Sequence, residues 1–172
     1  DMQMGKAPHD WDVTTSARPQ QVLSRFGGYA IPTGLQHGTV TVLWQEAAIE
    51  VTTFRRETAY RDHRHPDAVT FADTLREDLS RRDFTVNAMA MDGRGVITDP
   101  FGGEEDLRRG LLRCVGEPRE RFREDALRIM RCLRFAAVLG FSIEEKTALA
   151  LRQQKEDLRY ISPERLRDEL CK

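Results

Sequence analysis

Short alternating and β-branched runs fill the first half of the chain, and helical stripes fill the second. Asp10 to Thr14 (DWDVT) alternates polar and apolar positions, as a half-buried strand does. Val22, Leu23 and Phe26 share one face of a helix predicted from about Pro19 to Phe26, with Ser16 placed to cap it and Gly27-Gly28 to end it. HGTVTVLW (37–44) and AIEVTTF (48–54) are β-branched and separated by Gln45-Glu46-Ala47, which predicts a hairpin. Residues 55–72 are dense in charge with little periodicity, the pattern of a mobile loop beside that sheet.

From Thr74 to Met91 the pattern is mostly helical and carries SRRDFTVNAMA. GVITDPFGG then reads as a short strand broken by Pro100 and Gly102-Gly103, and Leu111 to Val115 as one more. Beyond Pro118 the spacing predicts helices over about 120–139, closed by Gly140, over 143–154, and over 163–171, opened by Ser162-Pro163-Glu164. Strands first and helices later define an α+β fold with a small mixed or antiparallel sheet and an all-helical end. The expected division lies near Gly116, giving domains 1–116 and 117–172.

With 172 residues, 40% hydrophobic and 32% charged, the chain is long enough for a real core and has the composition of a soluble globular protein. Its longest uncharged apolar run, Phe135 to Gly140, is far short of the roughly eighteen residues that cross a bilayer, so no membrane role is expected. Cys114, Cys132 and Cys171 are odd in number and widely spaced, which argues against a disulfide framework and for a reducing, cytoplasmic setting. His63 and His65 fall in a mixed-charge run and read as loop residues rather than metal ligands. The chain opens on Asp1 without an initiator Met and reads as a fragment.

Net charge is −1, but residues 108–134 carry 9 basic and 4 acidic groups within an otherwise acidic chain. Of the 27 basic residues 23 are Arg, the planar donor that suits phosphates and base edges. Focused binding of a small anion fits this better than a whole-surface nucleic-acid footprint.

Three groups of residues carry candidate chemistry. Asp10 and Asp12, two apart on a strand, project from one face, and paired carboxylates with open positions suit Mg²⁺ bound jointly with phosphate. Glu50 adds a third carboxylate if its strand neighbours the first. In EDALRIMRCLRFAAVLG the pattern places Leu127, Met130, Leu133 and Ala137 on a core stripe and Asp125, Arg128, Arg131 and Arg134 on a polar one. Arg131 and Arg134 lack acidic residues three or four positions away, which points to an anionic ligand. Asp125 accepts from an exocyclic amino group while Arg128 donates to a neighbouring ring acceptor, a pairing that selects cytosine and adenine over uracil and guanine. Arg82 and Asp83 in RRDF offer a phosphate or base donor and a ribose acceptor, although such a pair also suits a helix start.

The ordered blocks GKAPHDWDVTTSA, IPTGLQHGTVTV, EVTTFR, RRDFTVNAMA, DPFGGEEDL, RFREDALRIMRCLRFAAVLGF and ISPERLRDEL resemble the class II tRNA nucleotidyltransferases, the CCA-adding enzymes, over residues 5–172. The resemblance implies a polymerase-β-like nucleotidyltransferase head followed by a helical neck. It implies transfer of CMP and AMP from CTP and ATP to the tRNA 3′ end, with Mg²⁺ as cofactor and pyrophosphate released. It assigns metal binding to Asp10 and Asp12 and catalysis to these with Glu50. Nucleotide binding falls to Arg82, Asp83, Asp125, Arg128, Arg131 and Arg134, a hinge to the block holding Asp99, and a flexible loop to residues 55–72. Departures are the Gly-Gly-x-Val-Arg-Asp turn, of which only Asp1 has a counterpart here, and the body and tail helices. CC addition, A addition, poly(A) synthesis and nucleotide binding without turnover are the alternatives, with a metal phosphohydrolase disfavoured by the missing His/Asp cluster.

Overall fold

The computed structural model describes residues 2–5, 11–60 and 66–172, with backbone alone for residues 2, 57–60 and 66–69. The elements run β1 (Asp12–Thr15), α1 (Pro19–Phe26), β2 (Ala30–Gly34), β3 (Thr39–Trp44), β4 (Ala47–Thr53), β5 (Arg55–Tyr60), β6 (Pro66–Phe71) and α2 (Leu75–Ser80). They continue with β7 (Ala90–Met91), β8 (Ile97–Thr98), α3 (Gly103–Arg109), β9 (Leu111–Leu112), α4 (Pro118–Glu124), α5 (Leu127–Leu139), β10 (Ser142–Ile143), α6 (Glu145–Gln154) and α7 (Pro163–Leu170). Two compact units result, residues 1–57 with 69–78 and residues 58–68 with 79–172. Residues 79–116 pack within the second unit.

In the first unit four strands pair in the order β1-β4-β3-β2. The predicted hairpin is β3 and β4, antiparallel from Trp44↔Ala47 to Thr39↔Thr52, with Gln45 at a positive φ of 54° in its turn. Strand β1 adds to β4 in parallel. The period of two sends Val40, Val42 and Val51 to one face, where they bury against Val22 of α1. Helix α1 starts as predicted at Pro19, but Arg18 rather than Ser16 precedes it, with Arg18 N–H donating to Gln21 Oε1 at 2.7 Å.

Two expectations fail here. Residues 55–72 are not one loop, because β5 and β6 pair as a two-stranded sheet; His63 and His65 between them lie outside the described residues. Thr74–Met91 is not one helix, because α2 stops at Ser80 and a 3-10 turn at Thr85–Asn87 and strand β7 follow.

The second unit packs Phe84, Leu112, Cys114, Phe122, Ile129, Cys132 and Ala150 into one core. Two-stranded pairs β7-β8 and β9-β10, and a bridge between Phe84 and Cys114, tie its loops together. Asp99 does not stand free: its carboxylate accepts Gly103 N–H at 2.8 Å and Glu104 N–H at 2.9 Å, capping α3. Gly103 is required at that start, since a Cβ there would sit 2.2 Å from the Thr85 carbonyl oxygen.

The long helix expected over 120–139 is two helices, broken at Asp125 and Ala126. The break resets the phase. Phe122, Ala126, Ile129 and Cys132 are buried, whereas Leu133 and Ala137 of the expected core stripe are exposed. Among the described residues, no helix is long and apolar enough to cross a membrane.

Candidate functional site

The face of the first sheet opposite its valines is polar, because the residues alternating with Val13, Val40, Val42 and Val51 are Asp12, Thr14, Thr39, Thr41, Glu50 and Thr52. Asp12 and Glu50 are register partners on the parallel strands β1 and β4, so their carboxylates leave one face from backbones about 4.8 Å apart. Both residues are exposed. Thr41 faces Glu50 from the other side and shares a hydrogen bond with Thr33 at 2.8 Å. Thr14 Oγ1 donates to the buried Asp78 at 3.2 Å, and Asp78 also accepts Arg55 N–H at 3.2 Å, which fixes the end of β1.

The strand of Glu50 does neighbour the first, the condition on which its carboxylate could join that of Asp12. Like charges at register neighbours cost stability unless something positive lies between them. Hard, oxygen-only donors fit a divalent cation of the Mg²⁺ or Ca²⁺ type. Asp10, the other half of the expected metal pair, lies outside the described residues. Among the described residues no group of three or more His, Cys, Asp or Glu side chains converges as a metal site.

In the second unit Asp83 and Arg131 meet. Asp83 is buried, and its Oδ1 accepts Phe84 N–H at 2.9 Å and Asn87 Nδ2 at 3.2 Å. Its Oδ2 accepts Arg131 Nε at 2.8 Å and lies 2.8 Å from Arg131 Nη2. Arg131 also lies over the Phe135 ring at 5.3 Å, and Arg134 covers the same ring at 4.2 Å. Phe135 in turn meets Phe84 edge to face, with centroids 5.9 Å apart. Arg134 Nε donates to Glu169 at 2.7 Å.

The expectation that Arg131 and Arg134 are unpaired is therefore corrected: their partners come from Asp83, 48 residues away, and Glu169, 35 residues away. Arg82 is different, since its Nε is buried without a hydrogen-bond partner among the described residues.

Asp125 is not a rung of a helical ladder. Its backbone is extended at φ −140° and ψ 106°, ending α4, and its Oδ1 accepts Leu127 N–H at 3.0 Å at the start of α5. Its Oδ2 accepts from Arg165 Nη2 at 3.4 Å. Arg128, expected on the polar face, is instead buried; it pairs with Glu124 and donates to the carbonyls of Arg121 at 3.1 Å and Arg81 at 3.2 Å. Arg121 pairs with the same Glu124 and donates to the Ser80 carbonyl at 3.2 Å, so two guanidiniums satisfy carbonyls left open by the end of α2.

Sequence reasoning missed Arg165 and Glu169. Glu124 at i−4 from Arg128 was visible, but Arg165 and Glu169 carry only an i, i+4 spacing on α7 that any solvated helix shows. Behind the polar residues, burial pushes the Cys114 thiol up to about 12, with Cys132 beside it adding to the effect. Burial, then the nearby Asp83 charge, pushes Cys132 to about 12 as well. Both thiols are core groups rather than nucleophiles.

The fold is that of a nucleotidyltransferase head: the chain belongs to the family described as the poly A polymerase head domain, which it matches over residues 1–113. Residues 140–172 match a second family, described as "Probable RNA and SrmB-binding site of polymerase A". Among individual proteins, the whole chain is 51% identical to the CCA-adding enzyme of Lactobacillus helveticus and 50% identical to that of Geobacillus kaustophilus, covering 43% and 42% of those proteins. The Bacillus stearothermophilus CCA-adding enzyme, solved in complex with CTP, superposes with a TM-score of 0.89 at 46% identity over 99% of this chain and 40% of that one. The Thermotoga maritima CCA-adding enzyme, complexed with tRNA, gives 0.77 at 29% identity, covering 99% of this chain and 39% of that one. The chain thus spans about two-fifths of the length of these relatives.

Proposed function

We propose that the protein is a template-independent tRNA nucleotidyltransferase that adds CMP and AMP from CTP and ATP to the tRNA 3′ end, releasing pyrophosphate, in the cytoplasm. The observation that carries this reading is the similarity of the entire chain to CCA-adding enzymes at about half identity, one of them solved with CTP. Residues 1–116 form the catalytic part and residues 117–172 the part that recognises the base.

Asp10, Asp12 and Glu50 are the catalytic carboxylates, and Asp10 with Asp12 holds Mg²⁺. The bound cation supplies charge neutralisation for a triphosphate and a more acidic attacking hydroxyl. The chain's own residues do the rest by positioning. Arg82, with a buried Nε that lacks a partner among the described residues, donates to phosphate or ribose oxygens. Asp125 accepts the exocyclic amino group shared by cytosine and adenine and turns away the carbonyl that uracil and guanine present in its place. Arg128, Arg131 and Arg134, with Asp83, complete the nucleotide face; all three arginines are already aligned by carboxylates, Glu124, Asp83 and Glu169, before any ligand arrives.

The test is incorporation into tRNA lacking its terminal CCA, with each nucleotide supplied singly and together. Mg²⁺-dependent addition of C, C and A with pyrophosphate release is expected, and Asp12→Ala lowers it by at least about a thousandfold. CTP binding without incorporation, or unimpaired turnover in Asp12→Ala, refutes the catalytic reading.

A further inference from the structure

Base selection by a carboxylate works only if the carboxylate is held where the base arrives. Asp125 is gripped from two directions. The Leu127 N–H on Oδ1 is supplied by the adjacent turn of chain, but the Arg165 contact on Oδ2 comes from α7, 40 residues on. Arg165 has little else to do. Its side chain is 26% exposed, its Nη1 is buried without an acceptor among the described residues, and its ion pair is with Asp125. One turn later on the same helix, Glu169 is buried and binds Arg134. Helix α7 therefore offers plus then minus at positions i and i+4, matching the minus and plus of Asp125 and Arg134.

We propose that Arg165 is a positioning residue for base selection, holding the Asp125 carboxylate in the one orientation that accepts an exocyclic amino group. The inference rests on the base-reading role given to Asp125 above. An ionised carboxylate has about four acceptor sites, and the two bonds seen here leave room for an amino donor. A single 3.4 Å contact steers the group without occupying it fully. Without Arg165, the Leu127 N–H on Oδ1 is the one remaining restraint among the described residues, and the carboxylate can turn its Oδ2 away from the edge of the base that presents the amino group.

The experiment measures kcat and KM for CTP, UTP, ATP and GTP on tRNA lacking CCA, in the unsubstituted protein, Arg165→Ala, Arg165→Lys, Asp125→Ala and the Asp125→Ala/Arg165→Ala double variant. Arg165→Ala is expected to lower the CTP-over-UTP and ATP-over-GTP ratios of kcat/KM about tenfold, chiefly through KM for the correct nucleotide. Arg165→Lys restores most of the preference, and the double variant discriminates no worse than Asp125→Ala alone. If Arg165→Ala fails to fold by circular dichroism, Arg165→Met, which keeps the packing stem, is read in its place. An unchanged preference in the Arg165 variant while Asp125→Ala relaxes it, or an equal loss for all four nucleotides, overturns the proposal and leaves the proposed function standing. An unchanged preference in Asp125→Ala overturns the base-reading role itself.

Discussion

Replacing Asp83 with alanine removes one carboxylate on which two backbone or amide donors and two guanidinium nitrogens converge. The two halves of that loss differ in size. Phe84 is fully buried, and its N–H at 2.9 Å has no substitute acceptor, so stranding it costs about 2 kcal/mol. Arg131 keeps a side chain 32% exposed, and water takes over part of the carboxylate's role, which discounts that pair to about 1 kcal/mol. A net loss of about 3 kcal/mol follows, or roughly 6–12 °C in Tm for a protein of this length. Asp83→Asn keeps an acceptor for Phe84 N–H and loses the charge, so it costs about 1 kcal/mol. Thermal and urea unfolding of Asp83→Ala, Asp83→Asn, Arg131→Ala and the Asp83→Ala/Arg131→Ala double variant measures both halves. A loss below about 1 kcal/mol in Asp83→Ala, or strict additivity of the two alanine substitutions, refutes the account.

Glu169→Ala strands Arg134, whose side chain is only 17% exposed, and is expected to cost about 3 kcal/mol in a urea titration. Gly103→Ala drives a Cβ into the Thr85 carbonyl oxygen, a backbone atom that cannot swing away, and lowers stability by about 2 kcal/mol by the same measurement. At pH 8 a thiol reagent should modify the exposed Cys171 alone, with Cys114 and Cys132 reacting only after denaturation. Because both buried thiols are raised from 9.0 to about 12 in the folded protein, their contribution to stability is complete below pH 9 and is lost as pH climbs from 9 towards 12. Unfolding midpoints flat across that window would contradict the burial argument.

How far the sequence could be read depended on the range of each interaction. The hairpin was legible because both its strands are β-branched and lie next to each other, and α1, α6 and α7 because proline, glycine and spacing mark their limits. The register of Asp12 against Glu50 was not legible, since it depends on a parallel pairing that no local pattern encodes. Strands β5 and β6 hid because charge density reports exposed side chains and says nothing of a backbone ladder. The α5 stripe was misphased because an unbroken helix was carried through Asp125, where the backbone turns extended and the count restarts. The polar side expected for Arg128 is also not where it lies, since it is buried and its Nη1 and Nη2 meet Glu124 and two carbonyls.

Pairing does not remove Arg131 and Arg134 from a nucleotide face, although it removes the reason first given for placing them there. A guanidinium carries five N–H donors in a rigid fork. Asp83 engages Nε and Nη2 of Arg131, and Glu169 engages Nε of Arg134, so each keeps donors on its outer edge. The shared Phe135 ring beneath both restricts the planes in which those edges can lie. Long side chains held this way have already lost the rotamer freedom that an anion would otherwise have to freeze on binding. A carboxylate that pairs with an arginine from behind therefore acts as a strut, and an acidic residue distant in sequence can strengthen an anion site while lowering its net charge.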